Sequence, residues 1–211
     1  MTVAVRPGST VLLIGDSITD AGRDRDDPGS LGFGYAAMVA SLFAANHPGH
    51  RVRFVNRGIG GNRVVDLYDR WDKDCLALKP DVVSIMVGVN DTCRRYDRND
   101  PTSPDSFAER YRDLLIRSTG QGAALVLLEP FLLPAREELW GYREDLDPKV
   151  GVVRRLAYEF GATLVATDGL MAQAAAASNS QEWSTDGVHP TPAGHALLAQ
   201  AWLAAVSATR D

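Results

Sequence analysis

The chain has 211 residues, of which 45% are hydrophobic, and its formal net charge at pH 7 is -5. This length and composition suit one domain with a sizeable buried core, so we expect a single domain over residues 1–211. The acidic balance disfavours binding to nucleic acid or to an anionic membrane surface, because both need clustered positive charge.

Apolar, β-branched runs alternate with segments of helical periodicity along the chain. The runs predict buried strands at 10–15, 51–56, 81–88, 123–129 and 162–167. Helices are predicted at 34–46, 63–77, 104–119, 147–160 and 192–206, with a short one at 174–178. Strands that carry near-continuous apolar runs and alternate with helices favour a parallel sheet covered on both faces. The predicted fold is therefore a three-layer α/β/α sandwich, with its site at the carboxyl ends of the strands.

Two segments rich in Arg, Asp, Gly and Pro, at 21–33 and 94–105, interrupt this alternation. We predict that both are long loops at the active-site end, where substrate contacts are usually built.

The cysteines and the apolar content indicate the compartment. Cys75 and Cys93 form no CxxC or disulfide-dense pattern, which is typical of free thiols in a reducing compartment. The apolar stretch near the N-terminus is too short for a signal peptide, and no segment approaches the length of a membrane span. A cytoplasmic location without membrane attachment is the expectation.

The motif GDSITD, at residues 15–20, directly follows the first predicted strand. Ser17 would lie at the turn out of that strand, where unpaired backbone N–H groups can bind an oxyanion. Ser17 is therefore a candidate nucleophile, with capping of a helix or turn by Asp16 or Ser17 as the alternative. A serine becomes nucleophilic only when a base removes its proton and a third group orients that base.

The motif DGVHP, at residues 186–190, offers both of those groups. Residues three apart on a tight turn can place a carboxylate against Nδ1 of an imidazole while Nε2 faces the serine. Asp186 and His189 are thus predicted to complete a triad with Ser17. Thr191 reads as the N-cap of the last helix, so His189 would lie just ahead of a helix N-terminus.

Two further blocks follow the second and third predicted strands: NRGIGGN at 56–62 and GVND at 88–91. A glycine-rich loop lets the backbone approach a substrate and point an N–H group at it. The Asn90 amide would add a second donor just beyond a strand end. Considered singly, each block could be an ordinary turn.

In this order, each at a strand end, the four blocks resemble the SGNH subgroup of the GDSL hydrolases, from about residue 10 to residue 206. The resemblance implies a flavodoxin-like sandwich whose five parallel strands run in the order 2-1-3-4-5. It also implies a role for each block residue: Ser17 as nucleophile, Asp186 and His189 as the other triad members, and Gly61 and Asn90 as partners of the Ser17 N–H in an oxyanion hole. Gly60 remains an alternative to Gly61.

Several runs are similar to those of intracellular SGNH acetylxylan esterases, which deacetylate xylo-oligosaccharides: GDSITDAGR, NRGIGGN, DLYDRW, KPDVVSIMVGVND and GVHPTPAGH. This similarity implies a cofactor-free serine esterase that removes short acyl groups from carbohydrate. A lysophospholipase, thioesterase or arylesterase of the same family remains an alternative, because these blocks serve all those substrates. So does a non-catalytic carbohydrate-binding relative, since a fold alone does not determine activity.

Four residues near the blocks are candidates for substrate contact: Asp16, Trp183, Arg94 and Tyr96. The Trp183 ring could stack on a sugar, although a packing role is the alternative. Arg94 and Tyr96 could contact a carbohydrate or a neighbouring subunit, which leaves a homo-oligomer open, or lie in a solvated loop. His47 and His50 have the spacing of a metal pair, but a Pro-Gly surface turn explains them better, and no metal is predicted.

Overall fold

The computed structural model describes residues 2–209. Within them, the strands in chain order are β1 (Ala4–Val5), β2 (Thr10–Gly15), β3 (Arg53–Asn56), β4 (Val82–Met86), β5 (Ala124–Leu128), β6 (Thr163–Val165) and β7 (Ser207–Ala208). Strands β2 to β6 form one parallel sheet in the order β3-β2-β4-β5-β6. Counted among these five alone, that is the order 2-1-3-4-5, which confirms the predicted fold. The short strands β1 and β7 pair with each other.

Helices pack on both faces of the sheet. In chain order they are α1 (Ser17–Asp20), α2 (Tyr35–Asn46), α3 (Val64–Asp74), α4 (Val89–Asp97), α5 (Pro104–Thr119), α6 (Arg143–Glu159), α7 (Thr167–Ala177), α8 (Ser180–Trp183) and α9 (Pro192–Ala205). Short 3-10 helices occur at Leu76–Leu78 and Glu137–Tyr142. No helix among residues 2–209 is both long and apolar enough to cross a membrane.

The alternation of side chains along β2 divides the core in two. Val11 and Leu13 pack with the apolar residues of α2 and α9, whereas Leu12 and Ile14 pack with those of α3 and α5. Successive side chains of a strand point to opposite faces, so a strand that is apolar throughout needs a helical layer on each side. This arrangement leaves the carboxyl ends of the strands free to carry a site.

The segment 94–105 is not the long loop that we predicted. Helix α4 extends to Asp97 and α5 begins at Pro104, so only residues 98–103 are irregular. The polar residues of α4 are those of a short amphipathic helix, with Arg94 and Arg95 in its last turn. Positive charge in the last turn stabilises a helix through the helix dipole. Composition alone does not distinguish such a helix from a solvated loop. Residues 21–33 are irregular, as predicted, apart from isolated turns.

Two predicted helices are longer than expected. Helix α6 begins at Arg143 rather than at 147 and contains Pro148, and α7 covers Thr167–Ala177 rather than 174–178 alone. Pro148 lies in the second turn of α6, close to the N-terminal position at which a helix tolerates a missing N–H group. A proline near a helix start is easily mistaken for the boundary itself.

Candidate active site

The first three sequence blocks meet at one edge of the sheet. Ser17 is the first residue of α1, directly after β2. The glycine loop, residues 58–62, follows β3, and Asn90 lies in the first turn of α4, after β4. Because β3, β2 and β4 are adjacent and parallel, their carboxyl ends deliver these residues side by side.

The turn between α8 and α9 adds Asp186 and His189. The His189 Nε2 atom lies 2.9 Å from Ser17 Oγ, and His189 Nδ1 lies 2.6 Å from Asp186 Oδ2. An ionised carboxylate only accepts hydrogen bonds, so the proton belongs on Nδ1 and leaves Nε2 to accept from the serine. The geometry is that of a serine-hydrolase triad.

The backbone of this turn requires a glycine. Gly187 has a φ of 91°, and a Cβ atom there would lie 2.3 Å from the Leu133 carbonyl oxygen. Leu133 N–H in turn donates to the Gly187 carbonyl at 2.8 Å, which ties the turn to the segment after β5. Ser184 Oγ donates to the His189 carbonyl at 2.8 Å. The imidazole is therefore held by its backbone as well as by Asp186.

The Asp186 carboxylate is stabilised as an anion. Partial burial would raise its pKa, but hydrogen bonds from the His189 ring and from the His189 and Val188 N–H groups together lower the pKa to about 2. At neutral pH this group is therefore a permanent negative charge beside the imidazole.

Asp16, a candidate for substrate contact, is only 1% exposed. Its Oδ1 atom accepts from Ile18 N–H at 3.0 Å and so caps α1, which is the role that we kept as an alternative. Burial raises the pKa of Asp16 to about 7, against the hydrogen bond from Ile18 and the charge of His189. Little of its surface is available to a substrate.

As pH falls from about 7 to about 4, we expect the free energy of unfolding of the wild type to increase relative to that of Asp16→Asn. The pKa of Asp16 is near 7 in the folded protein and about 3.9 in an unfolded chain. Across this window the folded state binds the additional proton, so the contribution of Asp16 to the wild-type free energy of unfolding rises as pH falls. Asparagine has no such proton, so its variant lacks this contribution. Urea unfolding of both proteins at several pH values measures the difference. A difference that stays constant with pH would contradict it.

In the glycine loop, the backbone N–H of Gly61 has no acceptor among the described residues. Every other N–H group from residue 57 to residue 64 donates to an acceptor within residues 2–209. The alternative donor, Gly60 N–H, is taken by Asp20 Oδ2 at 3.0 Å. Gly61 has a φ of 81°, a conformation that favours glycine. Ser17 N–H also finds no acceptor in the described residues, because it lies at the start of a helix.

Asn90 is held against the glycine loop from the other side. Its side chain is largely buried, and Nδ2 donates to the Asn62 carbonyl at 3.1 Å. This bond uses one of the two N–H groups of the amide and leaves the second. The turn into α4 again needs a glycine, since Gly88 has a φ of 137° and its Cβ position lies 2.9 Å from Pro130.

Of the two candidates for substrate contact on α4, Arg94 reaches the glycine loop and Tyr96 does not. Arg94 reaches the glycine loop, with Nη2 3.9 Å from the position of a Cβ on Gly61, and it pairs with Asp97. Tyr96 is directed away: its hydroxyl donates to the Gly141 carbonyl at 3.0 Å, and its ring stacks on Tyr142. The structure therefore brings Arg94 to the site and places Tyr96 in a contact between α4 and the segment after β5.

Trp183 is half-buried against the core, and its Nε1 donates to Ser178 Oγ at 3.0 Å. Trp140, in contrast, is 61% exposed. Of these two tryptophans, Trp140 offers more free ring surface, although proximity in sequence to DGVHP favoured Trp183.

Two functional candidates were missed by the sequence reasoning. Asp20 and Asp91 both hydrogen-bond to backbone N–H groups in or next to the glycine loop. Both stand inside blocks that we singled out, GDSITD and GVND. Their position in those blocks is the only local signal, because each contact joins segments far apart in the chain.

Comparison with known proteins now identifies the family. The model of the GDSL-like lipase/acylhydrolase family matches residues 13–197. The chain belongs to this family. The prediction of a serine carboxylic-ester hydrolase is thereby confirmed.

Among the relatives of this GDSL-family chain is an acetylxylan esterase from Geobacillus stearothermophilus, 37% identical over 93% of both chains. A crystal structure of acetylxylan esterase from that organism has a TM-score of 0.89 at 36% identity and covers 96% of this chain and 95% of its own. An alpha/beta hydrolase from the metagenome of Lake Arreo, Spain, has a TM-score of 0.88 at 35% identity, covering 95% of each chain. Catalytic variants of the Geobacillus esterase have alanine in place of a serine, or of an aspartate or a histidine three positions apart.

Proposed function

We propose that this esterase removes acetyl groups from carbohydrate, and that acetylated xylo-oligosaccharides are its substrate class. The observation that carries the proposal is the similarity to an acetylxylan esterase along 93% of both chains. The spacing of Asp186 and His189 is also that of the aspartate and histidine altered in the catalytic variants of that relative.

In the proposed reaction, His189 Nε2 takes the proton of Ser17 Oγ as the oxygen attacks the acetyl carbonyl carbon. The tetrahedral intermediate collapses, the protonated His189 gives its proton to the sugar oxygen, and the alcohol leaves. Water, deprotonated by the same imidazole, then attacks the acetyl-serine, acetate is released, and Ser17 regains its proton. Asp186 fixes the tautomer and stabilises the transient imidazolium. The chemistry needs no cofactor.

Three donors are proposed to stabilise the oxyanion: the N–H groups of Ser17 and Gly61 and the side-chain amide of Asn90. The bond from Gly60 N–H to Asp20 favours Gly61 over Gly60, since a donor that is already engaged would have to exchange partners during the reaction. Arg94 lies beside the same loop. We propose that its guanidinium contacts the substrate there.

The remaining expectations from the sequence stay predictions. Cytoplasmic location is supported by two free thiols, Cys75 and Cys93. A single domain over 1–211, the absence of a metal requirement, and a homo-oligomer as an open alternative also remain predictions.

We expect the acetyl ester to be the best substrate in a series of p-nitrophenyl esters from acetate to decanoate. A long-chain enzyme would gain about 0.8 kcal/mol for each buried methylene, so its kcat/KM would rise with chain length. Acetylated xylo-oligosaccharides, assayed by acetate release, should also be hydrolysed. Ser17→Ala measured in parallel corrects for background hydrolysis.

A maximum at about eight carbons or more, with no acetate released from the sugars, would favour the lipase and thioesterase alternatives. Hydrolysis of p-nitrophenyl acetate without release of acetate from any acetylated sugar would favour the alternative of a short-chain arylesterase. No Ser17-dependent turnover of any ester would favour the non-catalytic alternative.

A further inference from the structure

We propose that Asp20 and Asp91 are positioning residues that hold the glycine loop at its middle and just beyond its far end, so that Gly61 N–H and the Asn90 amide converge on one point. The inference rests on the proposed function, because it assigns a purpose to two carboxylates through the oxyanion that the loop would bind. Neither carboxylate belongs to the triad or donates to the oxyanion.

Asp20 holds the middle of the loop from α1. Its side chain is only 11% exposed, and Oδ2 accepts both from Gly60 N–H at 3.0 Å and from Arg25 Nη2 at 2.6 Å. The loop is packed tightly on the same helix, since a Cβ on Gly58 would lie 2.1 Å from Asp20 N. Asp20 is thus three residues after the nucleophile and bonded to the residue before Gly61.

Asp91 holds the far end of the loop from α4. It is completely buried, and its two oxygens lie 3.1 and 3.3 Å from Val64 N, the first residue of α3. Its neighbour Asn90 donates to the Asn62 carbonyl. Two consecutive residues of α4 therefore hold the chain on either side of residue 63.

These contacts place Gly61 N–H, which finds no acceptor within residues 2–209, between two restrained positions. An oxyanion donor is effective when it lies about 2.7–3.1 Å from the oxygen that develops charge. A displacement of about 1 Å can lower the rate about 10²-fold, even when it originates away from the reacting atoms. Asp20 is a strong restraint because it is paired with Arg25, and charge-assisted hydrogen bonds are about twice as strong as neutral ones. Burial raises the pKa of Asp91 to about 7, so its restraint rests on the buried hydrogen bond from Val64 N–H, which is costly to leave unmade, rather than on a full negative charge.

The test measures p-nitrophenyl acetate hydrolysis by Asp20→Ala, Asp91→Ala and the two matching asparagine variants. We expect each alanine variant to lose about 30- to 100-fold in kcat, with KM changed less than about threefold, because the donors act on the transition state. Asparagine keeps an acceptor but not a full charge, so kcat should recover to a value about threefold to tenfold below that of the wild type.

Glu129→Gln and Glu129→Ala are the matched controls. Glu129 is also completely buried and accepts from a backbone N–H, that of Asp168, at 3.2 Å, but it lies outside the glycine loop and its contacts. The controls should lose thermal stability and keep kcat within about threefold. Circular dichroism and thermal unfolding confirm that each assayed variant is folded.

The outcomes separate this inference from the proposed function. Absence of Ser17-dependent hydrolysis in the wild type would refute the proposed function. If the wild type is active, unchanged kcat in folded Asp20→Ala and Asp91→Ala, or an equal loss in the Glu129 controls, would overturn the positioning role. If an alanine variant does not fold, its asparagine variant decides: we expect kcat to be about threefold to tenfold lower, and an unchanged value overturns the role.

Discussion

Ser17→Ala is expected to abolish ester hydrolysis, with kcat lower by about 10³- to 10⁶-fold, because the substitution removes the attacking oxygen. The fold should persist, since the side chain is small and its Oγ contacts His189 alone among the hydrogen-bond partners found in residues 2–209. Turnover of p-nitrophenyl acetate by purified protein, with circular dichroism on the same sample, measures both expectations. Residual activity above about a tenth of the wild type would contradict the nucleophile assignment.

Ser103→Ala is the matched control for that substitution. Ser103 Oγ accepts from Ser106 N–H at 3.1 Å and caps α5. Its removal should cost about 1 kcal/mol of stability and leave kcat unchanged. The pair therefore distinguishes loss of the nucleophile from the general effect of deleting a serine hydroxyl.

His189→Ala should be almost as severe, because without the imidazole no base removes the proton of Ser17. The informative measurement is the double variant, Ser17→Ala with His189→Ala. Triad members act as a unit, so the double variant should lose little more than the worse of the two single variants, within about tenfold. Two independent losses that multiply in the double variant would contradict a shared role.

His50→Ala is the control for the histidine. His50 Nε2 lies 2.9 Å from the Thr209 carbonyl oxygen, in the segment that leads into β3 at the amino end of the sheet. We expect kcat to stay near the wild-type value. The same assay thereby compares loss of the His189 imidazole at the site with loss of the His50 imidazole at the opposite end of the sheet.

The fold and the triad geometry were largely accessible from local patterns. Strands that are apolar at nearly every position, such as β2 and β4, signal burial on both faces wherever they occur. The Thr191–Pro192 start of α9 was read correctly, because an N-cap and a proline at N1 act on their own helix. Helix α4 was missed for the opposite reason. Its polar residues are satisfied by α6 and the segment after β5, for example through Arg95 and Asp145.

Proximity in sequence also misled the choice of aromatic residue. Trp183 precedes DGVHP closely, but the packing of α8 turns its ring toward the core and Ser178. Trp140 is remote from DGVHP in the chain, yet its neighbour Leu139 packs against Gly187. A Cβ atom added to Gly187 would lie 2.7 Å from Leu139 Cδ1. Whether a ring is free depends on which elements cover it, which no local spacing encodes.

The sequence by itself determined the chemical groups of this esterase and the strand ends that carry them. Residue types and short spacings decide these, since the distance between Asp186 and His189 follows from one turn of backbone. Only the tertiary structure distinguishes Gly60 from Gly61 as the proposed oxyanion donor. An N–H group is available to an oxyanion only if nothing else accepts from it, and the acceptor that occupies Gly60 is Asp20, 40 positions earlier in the chain. Availability is a property of packed neighbours, so it arises only when β2 and β3 come together and bring α1 against the glycine loop.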